Sequence, residues 1–84
     1  MVVGVLQIEF SVIDAMSLKD KRRVVKSLKD RIANSHNVSI AEVGALDEHR
    51  RCILGMAMVS NDSVDILLSF SEACRDEFEQ SLEL

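Results

Sequence analysis

Between Val2 and Val12 the chain alternates. Val2, Gly4, Leu6, Ile8, Phe10 and Val12 point one way; Val3, Val5, Gln7, Glu9 and Ser11 point the other. A period of two predicts a strand with one wholly apolar face. The period then changes: Leu18, Val24, Val25, Leu28 and Ile32 recur at helical spacings of three and four, which predicts a helix from Leu18 to about Ala33. Ser17 is the expected N-cap, with Asp20 three positions on in the place of the usual Glu or Gln. The turn formers Asn34-Ser35-His36-Asn37 end this helix. Val38 to Ala45 reads as a short second strand and Leu46 to Arg50 as a polar hairpin loop. Arg51 to Ser60 reads as a third strand whose two faces are both apolar, as in a central strand. Ser60-Asn61-Asp62 supplies caps for a second helix over Ser63 to Gln80, with Leu67, Phe70, Cys74 and Phe78 as its buried stripe.

Strand, helix, strand, strand, helix, with no proline and no long linker, predicts one α+β domain over residues 1–84: a ferredoxin-like sandwich with two helices on one face of a small sheet. Strands 1 and 3 are expected as parallel central neighbours. Only Ser81 to Leu84 remains for the fourth strand of that plan, so strand 4 is expected to be short or missing and strand 1 to present an exposed edge. A domain of 84 residues buries a limited core, and its stability is expected to be on the order of 5 kcal/mol.

Charge sharpens this picture. The net charge of -4 hides a segregation: seven of the ten basic residues lie between Ser17 and Ser35, and acidic residues dominate from Asp62 onward. At 100° per residue Lys19, Arg22, Lys26 and Lys29 share one flank of the first helix, with Arg23 nearby. Such a flank can neutralise phosphates, and Lys19, Arg22, Arg23, Lys26, Lys29 and Arg51 are the candidate nucleic-acid contacts. The chain has no Trp or Tyr and places Phe10, Phe70 and Phe78 on core stripes, so any RNA contact is expected through backbone and shape instead of base stacking. The second apolar face of the sheet, with Val3, Val5, Gly55, Ala57 and Val59, is a candidate interface, most simply of a homodimer.

Two cysteines make neither a disulfide framework nor a zinc site, the N-terminus runs straight into a strand pattern, and no apolar run reaches membrane-spanning length. These features point to a cytoplasmic protein without a membrane partner. No phosphate-binding loop, zinc-protease or nucleophile motif occurs, so no catalytic residue, metal or cofactor is expected. The loop residues Asp47, His49 and Arg51 are a reserve candidate for proton transfer or phosphate binding.

MVVGVLQIEF, SLKDKRRVVKSLKDRI, NVSIAEV and LGMAMVSND, in this order from Met1 to about Phe78, together resemble the YlxP-like family of small bacterial proteins of unassigned function. The resemblance implies a ferredoxin-like fold and no established activity. The genes of relatives often sit among those for translation initiation and ribosome maturation, which implies a partner in RNA or a ribosomal particle. Ser17, Leu18, Lys19, Lys21, Arg22, Val38, Ser39, Glu42, Arg51, Gly55, Ser60 and Asn61 match the family pattern. Among them Lys21 falls near the apolar stripe and must snorkel or pair, and Glu42 and Arg51 are expected partners across the hairpin. The chain departs from the pattern at His49, where relatives carry Trp, at Ile53, where an acid is usual, and in lacking a Glu-rich C-terminal strand.

Overall fold

The computed structural model describes residues 1–79, the last two by backbone alone. Three strands and two helices occur in the expected order: β1 (Val2–Ser11), α1 (Leu18–Ser35), β2 (Ser39–Gly44), β3 (Arg51–Ser60) and α2 (Ser63–Cys74), which runs on into one π-helical turn, Arg75–Glu79. Both N-caps follow from side-chain chemistry. Ser17 Oγ accepts from the Asp20 amide at 3.2 Å, and Asp20 Oδ2 accepts from the Met16 amide at 3.2 Å, one residue further back than in a standard capping box. Asp62 Oδ1 accepts from the Val64 amide at 2.9 Å. The predicted strand at Ser81 to Leu84 lies outside the described residues.

The sheet order is β1-β3-β2, and both pairings are antiparallel. The expected parallel pairing of strands 1 and 3 is therefore corrected. The crossover through α1 makes β1 and β2 run the same way, and β3, returning from the hairpin, slots between them and opposes both. The architecture is the ferredoxin-like α+β plan, with β3 central and both helices on one face. Among the described residues no element covers the other face.

Cys52, Leu54, Met56 and Met58 of β3 are buried under the helices, together with Val25, Leu28 and Ile32 of α1 and Ile66, Phe70 and Ala73 of α2. The stripe of α1 is close to the predicted one, except that Val24 is exposed and Lys21 takes a core position. The stripe of α2 is rotated from the expected one: Ile66 and Ala73 are buried, Leu67 is 65% exposed and Cys74 is half-buried. The cause lies in β1. Ile66 Cγ2 sits 2.2 Å from where a β-carbon on Gly4 would be, so the absent side chain of Gly4 makes the hollow that seats Ile66.

Burial separates the two cysteines. Cys52 is fully buried on β3, and burial pushes its thiol up to about 11; the charge of Glu42 adds to the effect. The thiol of half-buried Cys74 is also raised, by burial. At pH 8 an alkylating reagent will modify Cys74 first, and Cys52 will react only once urea unfolds the chain. Mass spectrometry of peptides from folded and unfolded protein checks this; early labelling of Cys52 in the folded protein contradicts the packing of β3.

Candidate functional site

Lys21 is the most constrained polar group of the described residues. Its side chain is 0% exposed, and its Nζ donates to the carbonyl oxygens of Ala45 and Glu48, both at 2.7 Å, and of Arg51 at 3.0 Å. The three ammonium protons are thus consumed. Glu42 Oε2, 2.6 Å away and on a side chain only 13% exposed, is held by charge and takes no hydrogen bond of its own. The ammonium ties both ends of the β2–β3 hairpin loop to α1. Ala45, one of its acceptors, has φ of 54°, a left-handed conformation that a residue with a β-carbon seldom adopts.

This arrangement settles two expectations. Lys21 pairs and does not snorkel. The expected Glu42–Arg51 pair does not form, because the two side chains leave opposite faces of the sheet. Glu42 stands opposite Leu54 and turns toward the helices. Arg51 reaches across the open face to Glu9, with a longer contact to Glu48 at 3.4 Å. The hydrogen bond from Arg51, reinforced by its charge, holds the Glu9 carboxyl below the usual carboxylate value.

The basic flank of α1 is assembled much as the wheel predicts. Lys19, Arg22, Arg23 and Lys26 are exposed and Lys29 is half-buried. Lys26 is tied to Asp30 at 2.9 Å as an i,i+4 pair. Lys19, Arg22, Arg23 and Lys29 make no ion pair among the described residues. The span from Lys19 to Lys29 is about 15 Å of helix. Arg23 leans to the other side, where it lines a groove with Val24, Leu28 and Arg31. Arg51 is not brought to this flank: α1 covers one face of the sheet and the Arg51 guanidinium lies on the other.

The acidic end of α2 meets a partner within the chain. Arg31 Nε donates to Glu77 Oε2 at 3.0 Å, and His36 Nε2, on a side chain only 8% exposed, lies 3.7 Å from Asp76 Oδ2. These contacts fasten the end of α1 to the turn that follows α2. They leave the acids on the side of the molecule away from Lys19, Arg22 and Lys26.

The open sheet face carries the predicted apolar set. Val3 pairs with Val59, and Val5 with Ala57 and, beyond it, Ser39. Val3, Val5 and Val59 are 57%, 76% and 55% exposed. Gly55 is half-covered by Val43, whose Cγ1 lies 3.0 Å from the position of a Gly55 β-carbon; the alternation of Ser39, Ala41 and Val43 puts Val43 on this face, and the register shift between Glu42 and Gly44 sets Gly44 opposite Ile53. Val43 and Ala41 therefore extend the patch, and both carried a weaker signal in the short β2 pattern. Among the described residues Asp47 and His49 form no ion pair with Arg51, whose guanidinium is paired with Glu9 and Glu48. No group of three His, Cys, Asp or Glu side chains among the described residues could hold a metal ion, and no helix among them is long and apolar enough to cross a membrane.

A three-stranded antiparallel sheet under two helices, a lysine-clamped hairpin and a cationic helix flank define a small ferredoxin-like α+β domain. The chain belongs to the family described as "Protein of unknown function (DUF503)", whose profile matches residues 3–81. It is similar to "Uncharacterized protein YlxP" of Bacillus subtilis (strain 168), with 42% identity over 62 residues, 74% of this chain and 67% of that relative. The YlxP-like resemblance read from the signature residues is thereby established.

Proposed function

We propose that this is a non-enzymatic cytoplasmic domain that associates with RNA or a ribosomal particle through α1. The observation that carries the reading is the flank itself. Lys19, Arg22 and Lys29, with Lys26 beside them, lie along one side of a rigid helix, and three of the four are free of internal ion pairs among the described residues. The acids of α2 are drawn off toward Arg31 and His36, so they do not neutralise the flank. The domain's net charge of -4 limits long-range attraction, so binding rests on local contacts to about three or four phosphates. Phe70 is buried and Phe10 half-buried, which leaves phosphate and sugar as the recognised groups.

Affinity for ribosomal RNA measured by filter binding will fall about 50-fold between 50 mM and 200 mM salt, the loss expected for three or four released counterions. The triple variant Lys19→Glu/Arg22→Glu/Lys26→Glu will lose binding at both salts while keeping its melting temperature, because these side chains are exposed. Undetectable binding by the natural chain, binding independent of salt, or a triple variant that binds as well as the natural chain would sink the reading.

A further inference from the structure

The sheet face away from the helices is divided in two. Its first three cross-strand rows are Val3 beside Val59, Val5 beside Ala57 and Ser39, and Gln7 beside Gly55 and Ala41. None of these positions carries a charge, in a chain of which 29% of the residues are charged. The charges gather beyond them, at the end of the sheet where Arg51 pairs with Glu9 and Glu48. Side-chain size is graded as well. Val3, Val5 and Val59 stand well exposed, whereas the small residues Gly55, Ala57 and Ala41 lie low between them and Val43. A further strand in the ferredoxin-like plan lengthens the sheet sideways and does not lie across this face.

We infer that this face packs on the same face of a second copy of the chain, the two sheets about 10 Å apart and the helices outermost. The chemistry of the rows excludes other kinds of occupant. They hold no cation and no aromatic ring, so a phosphate or a base finds nothing to bind. They hold no charge, so a charged protein surface finds no counterpart. What they present is a contiguous apolar patch, and its shape fits itself. A two-fold axis running across the strands at the row of Val5 and Ala57 brings all three rows into register. Each Val5 then meets the partner's Val5, and each Val59 stands over the partner's Gly55, so that large side chains fall on small ones. The same axis carries each Arg51–Glu9 pair past the end of the opposing sheet, where its charges stay in water. The three rows and Val43 bury on the order of 1,000 Å² over the two copies, near the least that a specific interface uses. The dimer is therefore a weak one, with a dissociation constant in the micromolar range. Dimer formation and RNA contact are independent. Stacking the sheets keeps both α1 helices on the outer layers, with Lys19, Arg22 and Lys26 of each copy still exposed.

Sedimentation equilibrium of the full chain from micromolar to millimolar concentration tests this. Val5→Lys and Val59→Lys alter the face; Leu67→Lys, at an exposed position of α2, and Lys19→Glu/Arg22→Glu/Lys26→Glu, on α1, are the controls. The expected result is a monomer–dimer equilibrium whose dissociation constant rises at least tenfold in each face variant and is unchanged in both controls, every variant keeping the natural circular dichroism. Two face positions on different strands guard against one of them misfolding. A chain that stays monomeric throughout, which would leave the face to a different protein, overturns the inference. So does a dimer that both face variants leave intact.

Discussion

Replacing Lys21 by Met will cost roughly 3–5 kcal/mol, the range found when one partner of a buried ion pair is removed. The loss is large because several groups are stranded together. Glu42 is left at 13% exposure with no cation beside it, and the carbonyls of Ala45, Glu48 and Arg51 lose their donor. With a total stability on the order of 5 kcal/mol, the variant will be close to unfolded at room temperature. Urea denaturation followed by circular dichroism measures it. The double variant Lys21→Met/Glu42→Leu will recover about 1–2 kcal/mol, because the stranded carboxylate is gone while the three carbonyls remain unpaired. Lys21→Arg will not restore stability: a planar fork cannot aim its donors at three oxygens gathered around a single point. A Lys21→Met variant within about 0.5 kcal/mol of the natural chain would show that the clamp does not hold the hairpin.

Gly4→Ala will destabilise the domain by about 1–3 kcal/mol, a fall in melting temperature on the order of 10 °C. A β-carbon there would stand 2.2 Å from Ile66 Cγ2 and 3.2 Å from Phe70 Cε2. The first of these atoms is fixed by the branch at the Ile66 β-carbon and cannot swing away, so α2 itself must lift from β1. Ile66→Leu removes that branch. Combined with Gly4→Ala it will therefore cost less than the sum of the two single changes, and thermal melts of the four proteins measure the coupling. Strict additivity would mean that Gly4 is not the seat of α2.

The wheel placed the cationic flank of α1 correctly because exposed charges on a single helix depend only on its 3.6-residue period. The outer apolar face of β1 and β3 was legible for the same reason, through the period of two at Val3, Val5, Ala57 and Val59. Glu42 and Arg51 were assigned to each other because they flank one hairpin. Their separation depends on which face each strand turns to the helices, which the hairpin alone does not set. Lys21 carried a visible signal, a cation on an apolar stripe, but its acceptors come from Ala45, Glu48 and Arg51, some thirty residues away.

Local pattern by itself determined the elements, their order, the Ser17 N-cap and the buried stripe through Val25, Leu28 and Ile32, since each depends on neighbours within a turn or two of chain. Tertiary structure decided what needs a second surface. It set β3 antiparallel to β1, since the returning hairpin strand fits only between β1 and β2. It chose the buried side of α2, which the helical period had placed at Leu67, Phe70 and Cys74; Val64, Ile66, Leu67, Leu68 and Phe70 are apolar around most of the helix, and the hollow above Gly4 selects Ile66. And it turned Lys21 from a misfit on a core stripe into the clamp of the hairpin, because only the folded chain gathers three carbonyls and a carboxylate around one ammonium.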